Sequence, residues 1–251
     1  MNRTIHLLAA VAIAAAGCTG NPGFDSVSYR KNVKEALIEG RTDSLTLEIS
    51  AEIPDKPENV RENILTALFG SGYSTLPVQS AIDAYASDYL EMYKEENLPL
   101  VGMTGNEISM ALSWEKYITG EFTGIYDGKY VNYTVTDYSY TGGAHGMNSE
   151  TNYIFRLDNG EKVGIDDIFI EGNEDKLSEM IMASLKANGN EGDKSAADYL
   201  LVKKIEPTWN FHLSGKGVTF IYNPYEIAAY AAGTIRITVP WKDMKDILAI
   251  R

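Results

Sequence analysis

The stretch Glu121-Phe122-Thr123-Gly124-Ile125-Tyr126-Asp127-Gly128-Lys129-Tyr130-Val131-Asn132-Tyr133-Thr134-Val135-Thr136-Asp137-Tyr138 reads as two strands joined by a two-residue turn. Asp-Gly is a strong hairpin signal because both turn positions take positive φ, which glycine tolerates freely and aspartate better than most residues. On the second arm, Tyr130, Tyr138 and Tyr140 share one face by period two, with Asn132, Thr134 and Thr136 between them. Tyr133 lies on the other face with Val131 and Val135. Such crowded tyrosines most often form cross-strand pairs, although aromatic strips on sheets also bind sugars or partner proteins.

Working outward from this hairpin, the chain mixes strand and helix periods. Leu45, Leu47, Ile49, Ala51 and Ile53 alternate with Thr46, Glu48, Ser50 and Glu52, predicting a half-buried strand. Asp55-Lys56-Pro57-Glu58 predicts a helix start capped by Asp55, with Val60, Ile64, Leu65 and Leu68 as its apolar face and Gly70 as its stop. A second helix is predicted from Val78 to Glu96, its stripe made by Ile82, Tyr85, Ala86, Tyr89 and Tyr93. Ile108, Met110, Leu112 and Trp114 alternate and predict a strand, and Asp158-Asn159-Gly160 predicts a hairpin between 153–155 and 163–165. Helices follow over Glu174–Asn188 and Ser195–Leu201. Strands over 211–213, 218–222 and 235–239 and a short helix from Pro240-Trp241 complete the series. Helices are grouped rather than alternating with every strand. The expected class is therefore α+β, two packed subdomains with antiparallel sheets and grouped helices.

The N-terminus reads as a lipoprotein leader. Arg3 supplies the positive charge, Leu7–Ala16 the apolar run, and Ala15-Ala16-Gly17-Cys18 the small residues before a cysteine that accepts lipid. Cys18 is the only cysteine, so no internal disulfide is possible. The expected organisation is a signal over 1–17, lipidated Cys18 and a tether to residue 23, one subdomain over 24–148 and a second over 149–251. This places the protein in the cell envelope, anchored to a bacterial membrane through acyl chains and facing periplasm or exterior. The net charge of −13 argues against nucleic acid and is compatible with a basic protein partner.

Tyr140-Thr141-Gly142-Gly143-Ala144-His145-Gly146 has the look of an active-site loop. His145 can serve as a general base with a carboxylate such as Asp137, and Gly142 and Gly143 can offer backbone N–H groups to an oxyanion. Yet no Gly-x-Ser-x-Gly elbow supplies a nucleophile. Outside the leader His212 is the only other histidine, with no zinc-ligand spacing. No glycine-rich phosphate loop opens a helix, and no metal or cofactor is expected. The plainer reading is a glycine-permitted turn off a strand.

Three landmarks then occur in order: Tyr140–Gly146; Phe155-Arg156-Leu157-Asp158-Asn159-Gly160 leading to Ile165–Phe169; and Gly217–Ala228, continuing through Tyr230–Gly233 to Ile237–Trp241. Together they resemble the extracellular two-part module of RsiV-type anti-sigma factors. The same module resembles the one preceding the catalytic domain of PdaC-type peptidoglycan deacetylases, and one found alone in bacterial lipoproteins. The resemblance implies a PdaC-like first and an RsiV-like second subdomain, without catalysis, binding lysozyme or a cell-wall glycan such as peptidoglycan. It nominates Tyr140, His145, Met147, Asn148, Asn223, Pro224, Tyr225 and Tyr230 for recognition by shape and hydrogen bonding. A hydrolase or deacetylase centred on His145, and a purely structural lipoprotein, stand as the alternatives.

Overall fold

The computed structural model describes residues 23–187 and 200–250. The leader, Cys18, its tether up to residue 22 and most of the helix expected over Ser195–Leu201 lie outside them. Among the described residues no helix is long and apolar enough to cross a membrane.

A five-stranded sheet has the order β1-β2-β3-β4-β5, and a three-stranded sheet the order β6-β7-β8. β1 (Ser26–Glu35) runs antiparallel to β2 (Leu45–Pro54), from Ser26 opposite Pro54 to Glu35 opposite Leu45. The apolar alternation of Val27, Tyr29 and Val33 in β1 is broken at Lys31, as suits a sheet edge, where charges such as Arg30, Lys31 and Lys34 discourage pairing with other chains. β3 (Trp114–Tyr126) joins β2 in parallel, Leu45 opposite Trp114 through Ala51 opposite Gly120. The chain has the expected α+β class, and this one pair departs from the antiparallel sheets expected: the helices between β2 and β3 form a crossover, which returns the chain in the same direction.

Those helices are α1 (Glu58–Phe69), α2 (Val78–Asn97) and α3 (Asn106–Leu112). The predicted apolar face of α1 is buried, as are Ile82, Ala86 and Tyr93 of α2; Tyr85 and Tyr89 are half-buried. The start of α1 differs from expectation. Its N-cap is Pro57 without a side-chain cap bond, so Asp55 caps nothing there. The strand expected through Ile108–Leu112 is helix α3, because Ile108 and Leu112 also satisfy the i, i+4 spacing of one helical face, leaving Met110 exposed.

The hairpin forms as read. β3 and β4 (Tyr130–Tyr140) flank Asp127 at φ 54° and Gly128 at φ 61°, the two positive values of a type I′ turn. β5 is Met147–Arg156. Its turn at Asp158–Gly160 closes through Arg156 N–H to Glu161 O (2.9 Å) and Val163 N–H to Ile154 O (2.8 Å). The returning arm makes one bridge, Phe155 to Lys162, and then turns into the short helix α4 (Ile165–Ile168) rather than continuing as a strand. After α5 (Glu174–Ala187) come β6 (Phe211–Ser214), β7 (Gly217–Tyr222) and β8 (Ile235–Pro240), all antiparallel, and α6 (Trp241–Met244). Leu200 bridges Ala228, so the end of the expected Ser195–Leu201 helix is extended.

The chain divides into two compact units. The described part of the first comprises Ser26–Gly120 and Thr136–Met147; that of the second comprises residues 23–25, Glu121–Val135 and the described residues from Asn148 onward. The first unit has β2 at its centre, with Leu45, Leu47 and Ile53 fully buried together with Val60, Ile64 and Leu65 of α1. In the second, Leu177 and Ile181 of α5 join Phe211, Phe220, Ile237 and Val239 of the small sheet and Met244 and Ile247 in one apolar cluster.

Buried asparagines organise the second unit. Asn132 donates to Leu213 O (2.9 Å) and accepts from Leu213 N–H (3.0 Å), pairing with one residue as a strand neighbour would. Asn210 accepts from Asn152 N–H (2.8 Å) and donates to Glu150 O (2.7 Å). Asn152 donates to Phe211 O (2.8 Å). β5 and β6 each end a sheet, and these amides satisfy main-chain groups that an edge strand otherwise leaves open, Asn210 on β5 and Asn132 and Asn152 on β6.

Candidate functional site

The Tyr140–Gly146 loop belongs to the first unit. The Tyr140 hydroxyl donates to Gly143 O (3.0 Å), closing the turn on itself. Gly142 has φ 90°, and a Cβ there would come within 3.1 Å of Ala111 Cα, so both conformation and space exclude a side chain. Gly146 is buried beneath the ring of Tyr138, which stacks on Tyr117 at 5.7 Å. These contacts, with φ 99° at Gly143, account for the glycines without any ligand.

His145 is exposed, and its Nδ1 lies 3.0 Å from Gly146 O, a bond that needs the proton on Nδ1. Asp137 gives its two oxygens to Lys116 Nζ at 2.6 and 2.7 Å. The carboxylate that the enzyme reading assigns to His145 is thus committed to a half-buried ion pair. Met147 and Asn148 are exposed at the start of β5.

Asn223, Pro224, Tyr225 and Tyr230 belong to the second unit, as does Asn148. Asn223 follows β7, and its side chain pairs with the main chain of Glu150, accepting from N–H (2.8 Å) and donating to O (3.0 Å). Its amide therefore anchors the turn rather than facing solvent. The Asn223 N–H is held by Glu226 Oε2 (2.9 Å), and Tyr225 N–H by Ala228 O (3.1 Å). At the tip Tyr225 has φ 73°, is 53% exposed, and lies 5.6 Å from the ring of Tyr230. Left-handed backbone costs a bulky residue about 1–2 kcal/mol. The structure thus brings Tyr225 and Tyr230 together, with Asn223 as their support.

Next to this turn Arg236 makes a two-pronged ion pair with Glu150, through Nε (3.0 Å) to Oε1 and Nη2 to Oε2. His212, on β6, is pushed below its usual pKa by burial, with Glu150 opposing and Arg236 adding to the shift. It is unsuited to holding a positive charge, and it pairs across the ladder with Thr219. Among the described residues no group of three or more His, Cys, Asp or Glu side chains gathers to hold a metal ion.

One feature of the second unit escaped sequence reasoning. Tyr153, Lys162 and Trp209 line a small pocket of about 190 Å³, floored by Asn152, Ile154, Val163 and Phe211. Trp209 is 60% exposed and meets Tyr153 at 6.4 Å between ring centroids and 50° between planes. The Lys162 ammonium lies 4.8 Å from the Tyr153 centroid. Trp209 directly precedes Asn210, whose amide is fastened to β5, and this places the indole beside Tyr153. A tryptophan outside any periodic run was the only sequence signal for it.

The sequence model of a family described as "Protein of unknown function (DUF3298)" matches residues 166–242, within the second unit. A crystal structure of a DUF3298 family member from Bacteroides fragilis NCTC 9343 is similar, with 24% identity and a TM-score of 0.76, over 91% of this chain and 95% of that one. A DUF3298 family protein from Pseudomonas aeruginosa PAO1 is similar too, with 17% identity and a TM-score of 0.67, over 92% of this chain and 96% of that one. At these identities the likeness is one of fold. No curated protein matches the chain.

Proposed function

We propose that this chain is a non-catalytic, lipid-anchored binding protein of the bacterial cell envelope. Its partner in this reading is a basic protein of the lysozyme kind, seated on the Tyr225–Tyr230 turn. The observation that carries the proposal is Tyr225: an aromatic residue in left-handed backbone, exposed, with the tilted ring of a second tyrosine beside it, on a turn held by Asn223 and Glu226. Strain kept at an exposed aromatic has a use where the ring must be presented, and a rigid tyrosine contributes contact area at low entropic cost. The net charge of −13 supports a basic partner by speeding encounter. The resemblance to the RsiV-type and PdaC-type modules supports lysozyme in particular, and the leader reading supports the envelope. The commitment of Asp137 to Lys116 removes the main support for a His145-centred enzyme. A cell-wall glycan is the second reading, favoured by the Tyr153–Trp209 pocket.

Calorimetric titration of the detergent-solubilised full chain with lysozyme tests this. A saturable one-to-one isotherm is expected, weakened at least tenfold by Tyr225→Ala and absent with cytochrome c, a basic protein of similar size. No heat with lysozyme, or equal heat with cytochrome c, refutes it.

A further inference from the structure

We propose that the Tyr153–Lys162–Trp209 pocket binds one pyranose ring that bears a carboxylate. The pocket offers aromatic faces and donors. Trp209 presents an indole face to solvent, and Tyr153 stands as a tilted wall beside it. A flat, largely exposed aromatic next to a second one suits the C–H face of a sugar ring, and the volume of about 190 Å³ matches a single ring rather than a chain.

Its polar groups all point to an acceptor-rich ligand. Among the described residues no carboxylate pairs with Lys162 Nζ, which lies over the Tyr153 ring, 4.8 Å from its centroid. Its ammonium therefore stands at the pocket with no ion pair of its own among the described residues, open to an anionic group on a ligand. Burial keeps the Tyr153 phenol protonated and so a donor, and no described group accepts from it or from Trp209 Nε1. Two acceptors of the lining are engaged within the protein: Asn152 Oδ1 accepts from Thr134 (2.8 Å), and Gly164 O accepts from Asp167 N–H (3.2 Å). An ammonium and two neutral donors around two aromatic faces select a ring with a negative oxygen group over a neutral or cationic one.

The assignment rests on the glycan arm of the proposed function only for its natural source, which would be the lactyl-bearing sugar of the cell wall. The pocket itself does not depend on that choice. Trp209 also reports on its own occupancy, because it is the exposed indole of the three tryptophans, with Trp114 and Trp241 buried or partly buried.

The test is a fluorescence titration of the full chain in detergent with methyl β-D-glucuronide, its neutral isostere methyl β-D-glucoside, N-acetylmuramic acid and N-acetylglucosamine. Saturable change near 1 mM is expected for the two carboxylated sugars, the usual strength for so few ligand atoms. The neutral sugars should bind roughly two- to fivefold more weakly, the range of an exposed ion pair. Lys162→Gln should abolish that preference while keeping neutral-sugar binding, and Trp209→Ala should remove the signal. Tyr225→Ala should leave it unchanged. No saturable response to any sugar up to about 50 mM overturns the proposal, as does a preference that survives Lys162→Gln. Lysozyme binding without sugar binding would sink the pocket alone, and sugar binding without lysozyme binding would sink the protein-partner reading alone.

Discussion

Tyr225 is a bulky ring at φ 73°, one of two non-glycine residues at positive φ among the described residues. Replacing it with glycine relieves the left-handed strain but widens the unfolded ensemble, so Tyr225→Gly should change stability by no more than about 1 kcal/mol in urea while lysozyme binding falls at least tenfold. A loss above about 3 kcal/mol would make the ring a packing element instead. His212 makes a pH prediction at the same scale. Its pKa is held below the usual imidazole value, first by burial. From about one unit above the unfolded value of roughly 6.5, both folded and unfolded forms are largely neutral there and the residue adds no pH dependence. As pH falls below that value the unfolded chain takes up a proton that the folded chain resists, so stability declines. Urea midpoints should therefore drop between about pH 7.5 and pH 5.5, above the range where carboxylates titrate, and His212→Gln should flatten that slope.

At the scale of elements, the asparagine bonds to main chain decide how β5 and β6 are held in the second unit. Asn132 is almost fully buried and occupies both polar groups of Leu213. Asn132→Ala should cost about 2–4 kcal/mol in urea unfolding, because it leaves a buried N–H and C=O without partners. Asn148→Ala, at an exposed position, should stay within about 0.5 kcal/mol. Such amides were not legible beforehand. In the sequence Asn132 is one polar position in a tyrosine-rich strand, and only the fold brings Leu213 opposite it. The elements that could be read were those with one clean period: β2 with Leu45–Ile53, α5 with Leu177, Ile181 and Leu185, and the Asp127-Gly128 turn. β1 was hidden because an edge strand puts polar residues on both faces, and α3 because Ile108 and Leu112 fit a strand's alternation and a helix's i, i+4 spacing equally well. Asn223, nominated as a contact residue, spends its amide on Glu150, and Trp209 lies outside any periodic run that would single it out.

For the whole molecule, the relevant quantities are the excess of acid and the separation of the nominated residues into two units. Tyr140, His145 and Met147 belong to the first unit, and Asn148, Asn223, Pro224, Tyr225 and Tyr230 to the second. With a net charge of −13, attraction to a basic partner is screened by salt. Lysozyme affinity should fall by about tenfold or more between roughly 25 and 300 mM salt, mainly through a slower association rate in stopped-flow measurements. The most direct test of the account is hydrogen exchange of the full chain with and without saturating lysozyme. The account predicts new protection over residues 223–232, with the Tyr140–Gly146 loop unchanged. Protection centred on His145, or none at all, would contradict it.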